Sequence, residues 1–347
     1  MEKLFSIVMP MFNAAKYLPE ALNSLRKQYY RNFEVIIVDD GSTDKSIEIA
    51  ERFIKMDRRF KLIRQKNQYA GVARNTGLRS AIGDYVIFLD ADDIFHRDML
   101  QKLSRDVETH DVDIVTFNYC VFSKKYYKHE IKLKYAGCVK EPAAIRDDLF
   151  NIDPGIPWNK LYKMEFIKRT GLQFQDTINT NDVFFTRMSF ALASKIYFST
   201  HTLMSYRSGN ANSVQGRHLK NPEAFYIAFE KIIDVLIERG LFEIYKKTTQ
   251  KMIIDVCQWK LKEANTEEKF LLIFNYSKKL FEKVGLDTKD NVLAEVKEKQ
   301  VVQAILCGDI TNCVMGLYFS YKNQNFEGSN EYRIGKALAK VLPFLFR

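Results

Sequence analysis

The chain has 347 residues, enough for one large domain with an extension or for two domains. With 46% hydrophobic and 28% charged residues it reads as globular, which excludes a disordered polymer. Its net charge of +10 favours an acidic partner, whether nucleic acid, an anionic membrane face or a phosphorylated substrate, and does not choose among them.

Leu4 to Met11 is strand-like and leads into a helix from Ala14 to Gln28, with Leu18, Ala21, Leu22 and Leu25 on one face. Phe33 to Val38 (FEVIIV) reads as a buried strand that ends in Asp39-Asp40-Gly41. Ser42 or Asp44 is placed to cap the next helix, which carries Ile47, Ala50 and Ile54. A short strand at Lys61 to Arg64 and a small-residue helix at Ala70 to Ala81 precede YVIFLDADDIF, Tyr85 to Phe95. A helix from Arg97 and a strand from Asp113 follow. Strands alternating with helices predict a mainly parallel sheet covered on both faces, with ligands at the carboxyl ends of its strands. Asp39-Asp40 and Asp90 to Asp93 both fall at such ends.

Residues 121–215 are mixed in pattern and include the irregular stretch DPGIPWNK. From Asn221 the pattern is mostly helical, with Phe225, Ala228, Phe229, Ile232, Ile233 and Leu236 along one face. A boundary near 217–222 divides a domain at 1–218 from a helical region at 219–330, followed by a basic tail at 331–347. The cysteines at 120, 138, 257, 307 and 313 form no CxxC pair, which reads as reduced thiols in a cytoplasmic protein. No segment approaches the roughly 20 apolar residues that span a bilayer. The nearest, Val301 to Phe319, is interrupted by Asp309 and Asn312. With Glu2 beside a strand-like start and no signal-type segment, the expectation is neither secretion nor membrane integration.

Asp90, Asp92 and Asp93 crowd three carboxylates into four positions after an apolar strand, where they repel one another and resist desolvation. A bound hard cation, Mg²⁺ or Mn²⁺ for oxygen-only ligands, makes that tolerable; the alternative is a solvated turn with Asp93 capping the next helix. The first strand–helix turn, Pro10 to Leu18, contains neither GxGxxG nor GxxxxGKS, so no Rossmann dinucleotide site and no P-loop is supported. A sugar-nucleotide pyrophosphorylase lacks its glycine-rich loop here. FLDADD also suits a haloacid-dehalogenase-type phosphatase, but the surrounding motifs do not fit one.

Taken together, PMFN (10–13), VDDGSTD (38–44), AGVARNTGL (70–78), FLDADD (88–93) and NDVFF (181–185) resemble the family 2 glycosyltransferases of the GT-A fold, in order and spacing. The resemblance covers residues 4–215. The PWNKLYK and YRSGNANSV segments are similar to those of bacterial enzymes that build capsular, exopolysaccharide or lipopolysaccharide chains. It implies an α/β nucleotide-diphospho-sugar transferase fold with a mainly parallel sheet flanked by helices, followed by a mostly helical C-terminal region. The implied activity is inverting, metal-dependent transfer of a hexosyl or N-acetylhexosaminyl group from a UDP-sugar to a lipid-linked bacterial surface glycan.

On that resemblance Asp40 is the partner of the base imide N–H, Asp39 helps hold the nucleoside, and Pro10 and Asn13 shape the loop around the nucleotide. Arg74 neutralises the diphosphate or orients Asp90. Asp92 is the direct metal ligand for Mn²⁺ or Mg²⁺, and Asp90 faces the ribose or a metal-bound water. Asp182 is the catalytic base; Asn181 stands where the family commonly has the first acid of a pair. Trp158 stacks on a sugar ring or lies in the core, and Asn159 and Lys160 line the donor-sugar or phosphate side. Tyr206, Arg207 and Ser213 belong to a loop over the diphosphate. His201 and His218 are candidate third metal ligands or ordinary surface and core residues.

The tail carries Arg333, Lys336, Lys340 and Arg347 with no acid after Glu331, and Ile334, Leu338 and Leu342 share a helical face that Pro343 bends or ends. This composition suits an interfacial helix on an anionic leaflet, or a helix packed on protein. The expected location is therefore the inner face of the cell membrane, peripherally attached. No nucleic-acid partner is expected, and a homo-oligomer is left open. The competing function is a catalytically degenerate basic module that binds membrane or nucleic acid. Retention of Asp40, Asp90, Asp92 and Asp182 together speaks against it.

Overall fold

Every residue of FSIVMPM except Pro10 is buried, as is all of FEVIIVD, so these segments need cover on both faces. They form β1 (Phe5–Met11) and β2 (Phe33–Asp39), adjacent parallel strands in the computed structural model, which describes residues 2–123, 127–153, 155–208 and 221–322. Ser213, His218 and the basic tail lie outside the described residues.

The chain divides into two compact units, Met1–Ile145 with Ile152–Ser213, and Arg146–Asn151 with Val214–Arg347. In the first unit β1 and β2 are followed by β3 (Phe60–Arg64), β4 (Tyr85–Phe88), β5 (Ile94–Phe95), β6 (Ile114–Phe122), β7 (Tyr127–Ile131), β8 (Cys138–Lys140), β9 (Lys160–Lys163) and β10 (Ile196–Arg207). The described strands make a ten-stranded sheet in the order β3-β2-β1-β4-β9-β6-β10-β5, with β7 paired to β6 and β8 to β10. The four strands β3-β2-β1-β4 are parallel, as the strand–helix alternation predicts. Beyond β4 the sheet is mixed, because β9 runs antiparallel to both β4 and β6.

The helices α1 (Leu18–Arg26), α2 (Ser46–Met56), α3 (Tyr69–Ser80), α4 (Met99–Thr109), α5 (Met164–Thr170) and α6 (Val183–Leu192) complete this unit. α1 buries Leu18, Ala21, Leu22 and Leu25 in the same core as Ile7, Met9 and Ile37. Each fully buried leucine contributes roughly 2 kcal/mol. Of the two expected caps of α2, Asp44 bonds the first turn, accepting the Ser46 N–H at 2.9 Å, while Ser42 turns its hydroxyl to the Asn13 N–H. α3 lies close to the sheet because Gly77 has no side chain; a Cβ there would stand 2.4 Å from Val8 Cγ1.

The second unit is helical: α7 (Glu223–Glu238), α8 (Phe242–Glu263), α9 (Glu267–Lys283), α10 (Lys299–Cys307) and α11 (Ile310–Lys322). Ile232, Ile233 and Leu236 of α7, Ile253 and Leu261 of α8, and Phe270 and Phe274 of α9 are buried. Thr266 caps α9 by accepting the Lys269 N–H. The apolar stretch from Val301 is divided between α10 and α11 at the left-handed Gly308. No described helix is long and apolar enough to cross a membrane.

Candidate active site

β2, β1 and β4 are neighbours and parallel, so the segments after their carboxyl ends share one rim: Asp39–Asp44, Pro10–Asn13 and Asp90–Asp93. The first two are laced together. The Asp40 N–H donates to Met11 O at 2.8 Å, and the Thr43 N–H donates to Asn13 Oδ1 at 2.8 Å. Asn13 does this from a left-handed backbone, φ +49°, which asparagine tolerates better than most residues. Gly41 is also left-handed at +81°, and a Cβ on it would crowd Asn67 N at 3.1 Å.

Asp39 and Asp40 are both buried, yet each is satisfied. Asp39 accepts the Ser42 N–H at 3.2 Å. Asp40 Oδ1 accepts Gln65 Nε2 at 2.8 Å and the Gln68 N–H at 2.9 Å. The two glutamines follow β3, the strand beside β2, and fix this carboxylate's orientation without neutralising it.

The three acids after β4 sit in three different environments. Asp90 accepts from Arg74 Nη2 at 2.9 Å. Asp92 is partly exposed, and its carbonyl accepts Arg207 Nε at 2.8 Å. Asp93 is fully buried and accepts the Arg207 N–H at 2.8 Å, while its Oδ2 has no hydrogen-bond partner among the described residues. Burial first, then the negative charges of Asp90 and Asp92, push the Asp93 carboxyl well above the ordinary carboxylate range. Arg207, at the end of β10, is clamped over this turn. Its Nη2 donates to Glu20, and its guanidinium lies 4.4 Å from the Tyr17 ring centre and 4.5 Å from that of Phe122.

α3 ties the rim to Asp182. Asn75 exchanges two hydrogen bonds with the Phe174 backbone, at 2.8 and 2.9 Å. Gly71 lets the 175–181 segment approach so closely that a Cβ would stand 2.2 Å from Gln175 O. Arg74 donates to Asn181 Oδ1 at 3.2 Å and to Asp90, joining the two acidic segments through one buried guanidinium. Asp182 follows at the N-cap of α6. Burial raises its carboxyl above the usual range; Arg74 pulls it down and Asp90 pushes it up. A carboxylate with a raised pKa is a better proton acceptor when ionised.

Trp158, Asn159 and Lys160, also singled out in the sequence, are buried. Trp158 is 5% exposed, with one face stacked on Tyr206 at 5.1 Å and its edge against Tyr119. Lys160 is fully buried; its ammonium donates to Asp153 at 2.7 Å, to Ile156 O at 2.6 Å and to Asn159 at 2.7 Å, leaving no donor for a phosphate. Asn159 in turn donates to Asp153 Oδ2 at 3.1 Å. His201 lies on β10 within the field of the Asp106 carboxyl. Gln65, Gln68 and Asn75 have no marker in the sequence beyond their places after β3 and inside AGVARNTGL.

The family model described as "Glycosyl transferase family 2" matches residues 6–207. This chain belongs to glycosyl transferase family 2. EpsH of Bacillus subtilis (strain 168), which is named as a glycosyltransferase, is 30% identical over 85% of this chain and 86% of its own length. The TarS protein of Staphylococcus aureus (strain Mu50), named as a poly(ribitol-phosphate) β-N-acetylglucosaminyltransferase, is 25% identical over 70% of this chain and 42% of TarS. A crystal structure of TarS residues 1–349 in complex with UDP-GlcNAc superposes with a TM-score of 0.75 at 20% identity, covering 93% of each chain. The mannosyltransferase PcManGT of Pyrobaculum calidifontis, solved with GDP-Man and Mn²⁺, gives 0.54 at 16% identity over 99% of this chain and 86% of its own. At these structural identities the likeness is one of fold. The family 2 chain is a glycosyltransferase built on the GT-A fold, as its motifs imply.

Proposed function

We propose that this glycosyltransferase moves a sugar from a UDP-sugar to a bacterial surface glycan with inversion at the anomeric carbon, using residues 1–218 as the catalytic domain. The observation that carries the reading is Arg74, which holds Asp90 on one side and Asn181, next to Asp182, on the other. Asp182 takes the proton of the acceptor hydroxyl. The acceptor oxygen bonds to the anomeric carbon on the face opposite the diphosphate, and the bond from that carbon to the diphosphate oxygen breaks, its electron pair leaving with UDP.

Asp40, oriented by Gln65 and Gln68, is a fixed acceptor for the uracil imide N–H, and the loop Pro10–Asn13 encloses the nucleoside. TarS, solved with UDP-GlcNAc, supports a UDP-linked donor. The donor set fits a hard cation: Asp90, Asp92 and Asp93 crowd three carboxylates at one strand end, and every candidate ligand is oxygen. The described residues contain no cluster of three or more His, Cys, Asp or Glu able to hold a metal unaided, so Asp92 would share the ion with water and donor phosphate. Mn²⁺ or Mg²⁺ held there would neutralise charge developing on the leaving diphosphate. The acceptor is a lipid-linked glycan at the inner membrane face, a placement in keeping with the net charge of +10.

The experiment is Asp182→Asn, assayed for transfer and for UDP binding. Transfer is expected to fall by about a thousandfold or more, with UDP affinity unchanged. Joint loss of both in a protein that still folds would remove Asp182 from the role of base.

A further inference from the structure

The amino edge of the parallel strands, away from the acidic rim, carries a cavity of about 430 Å³. α1 descends from the rim to this edge, and the chain after Asp93 runs beside it. The Phe95 N–H donates to Ser24 Oγ at 3.1 Å, and the Tyr29 N–H donates to Arg97 O at 2.9 Å. The walls come from the end of α1, the turn into β2, the end of α2 and the 57–59 turn. Arg26, Lys27, Arg31, Arg59 and Arg97 line the cavity, against a single acid, Asp57.

That acid is already committed. Arg59 donates to it through Nε at 3.0 Å and through Nη2 at 2.6 Å. Arg26, Lys27, Arg31 and Arg97 have no carboxylate within ion-pair distance among the described residues. Helix-end electrostatics explains part of this: Arg26 and Lys27 complement the negative carboxyl end of α1. It does not explain the rest. Arg31 belongs to no helix, and Arg97 stands just before α4, where the helix field disfavours a cation.

Arg59 is also pre-set for recognition. Its guanidinium lies 4.1 Å from the Phe33 ring centre and is locked by Asp57, while Nη1 is buried and has no acceptor among the described residues. Tyr29 and Met56, each 56% exposed, give the mouth an apolar lip. At about 430 Å³ the cavity is an open surface depression, wide enough to admit a phosphate group.

We propose that this cavity is a second binding site, taking a phosphate-bearing anion on its arginine and lysine side chains. The recognised chemistry is phosphate oxygen facing planar guanidinium donors. Its source is either the headgroup of an anionic lipid or a soluble diphosphate.

The test uses the full chain at one fixed ionic strength and two probes. Inorganic pyrophosphate is titrated by calorimetry, and phosphatidylglycerol–phosphatidylcholine vesicles are followed by co-sedimentation. A Lys27→Ala/Arg31→Ala/Arg97→Ala variant, altered only at exposed positions, is compared with wild type and with Lys132→Ala/Lys134→Ala/Lys168→Ala, which loses equal charge at other exposed positions. Wild type and control are expected to bind at least one probe alike, and the cavity variant to bind it roughly tenfold or more weakly. Pyrophosphate held at the acidic rim is common to all three proteins and cancels. A loss confined to vesicles assigns a lipid headgroup, and a loss confined to pyrophosphate assigns a soluble anion; either supports the site. Equal binding by all three proteins, equal losses in both variants, or no binding of either probe by wild type would overturn it.

Discussion

The Arg74 guanidinium is buried, donates to Asp90 with one nitrogen and to Asn181 with another, and lies 5.4 Å from the Phe174 ring centre. Its charge lowers the Asp182 carboxyl that burial raises. Removing it takes away the largest influence opposing burial and Asp90, leaving only a backbone hydrogen bond and the Lys160 charge against them, so the Asp182 pKa rises further. The base acts only when ionised, and a higher pKa empties that form at low pH. In Arg74→Met the acid limb of the kcat/KM profile is therefore expected to move to higher pH; a limb that stays in place would separate Arg74 from Asp182. At this scale the sequence was legible where a residue's chemistry is carried by its own motif, as in VDDGSTD and FLDADD. It was silent where the partner arrives from another strand. Gln65 and Gln68 reach Asp40 across β3 and β2, and nothing near Trp158 announces that Tyr206 will cover its face.

Among the elements, α3 explains why AGVARNTGL has its composition. Gly77 meets the sheet, Gly71 admits the 175–181 segment, and Arg74 and Asn75 hold that segment. The hydrophobic pattern marked β1, β2, β4, α1 and α2 because those strands are apolar and those helices one-sided, whereas β3, FKLIR, shows only as a short mixed segment. It could not give the direction of β9, since strand polarity depends on the path of the preceding loop and not on the residues of KLYK. The start of β9 also carries the buried pair Lys160–Asp153, at 2.7 Å. Burial lowers the Lys160 ammonium, while that ammonium holds Asp153 low against the burial that would raise it. Lys160→Met strands a buried carboxylate and is expected to cost about 3–5 kcal/mol in chemical denaturation, with Asp153→Asn added to it recovering part of the loss. A cost under about 1 kcal/mol would mean that the pair is not a structural support.

For the whole molecule, the excess of 53 Lys and Arg over 43 Asp and Glu does not by itself select a partner. The fold class and family could be read from the spacing of five short motifs, whereas the helical unit from Val214 carries no such motif and shows only its amphipathic periodicity. The tail, 331–347, is the sequence's best membrane candidate. A chain ending at 330 is expected to lose at least half of its sedimentation with anionic vesicles while keeping UDP affinity; unchanged sedimentation would assign membrane contact to another surface.

The crowded rim of Asp90, Asp92 and Asp93 is the feature on which the proposed chemistry depends, and calorimetry of UDP binding probes it most directly. Titrations of wild type and Asp92→Asn, each with Mn²⁺ and with a chelator, should show wild type binding UDP about tenfold or more tightly with the metal and the variant gaining nothing from it. Equal UDP affinity with and without Mn²⁺ in wild type, or the same metal-dependent gain in Asp92→Asn, would contradict a cation shared between this rim and a diphosphate.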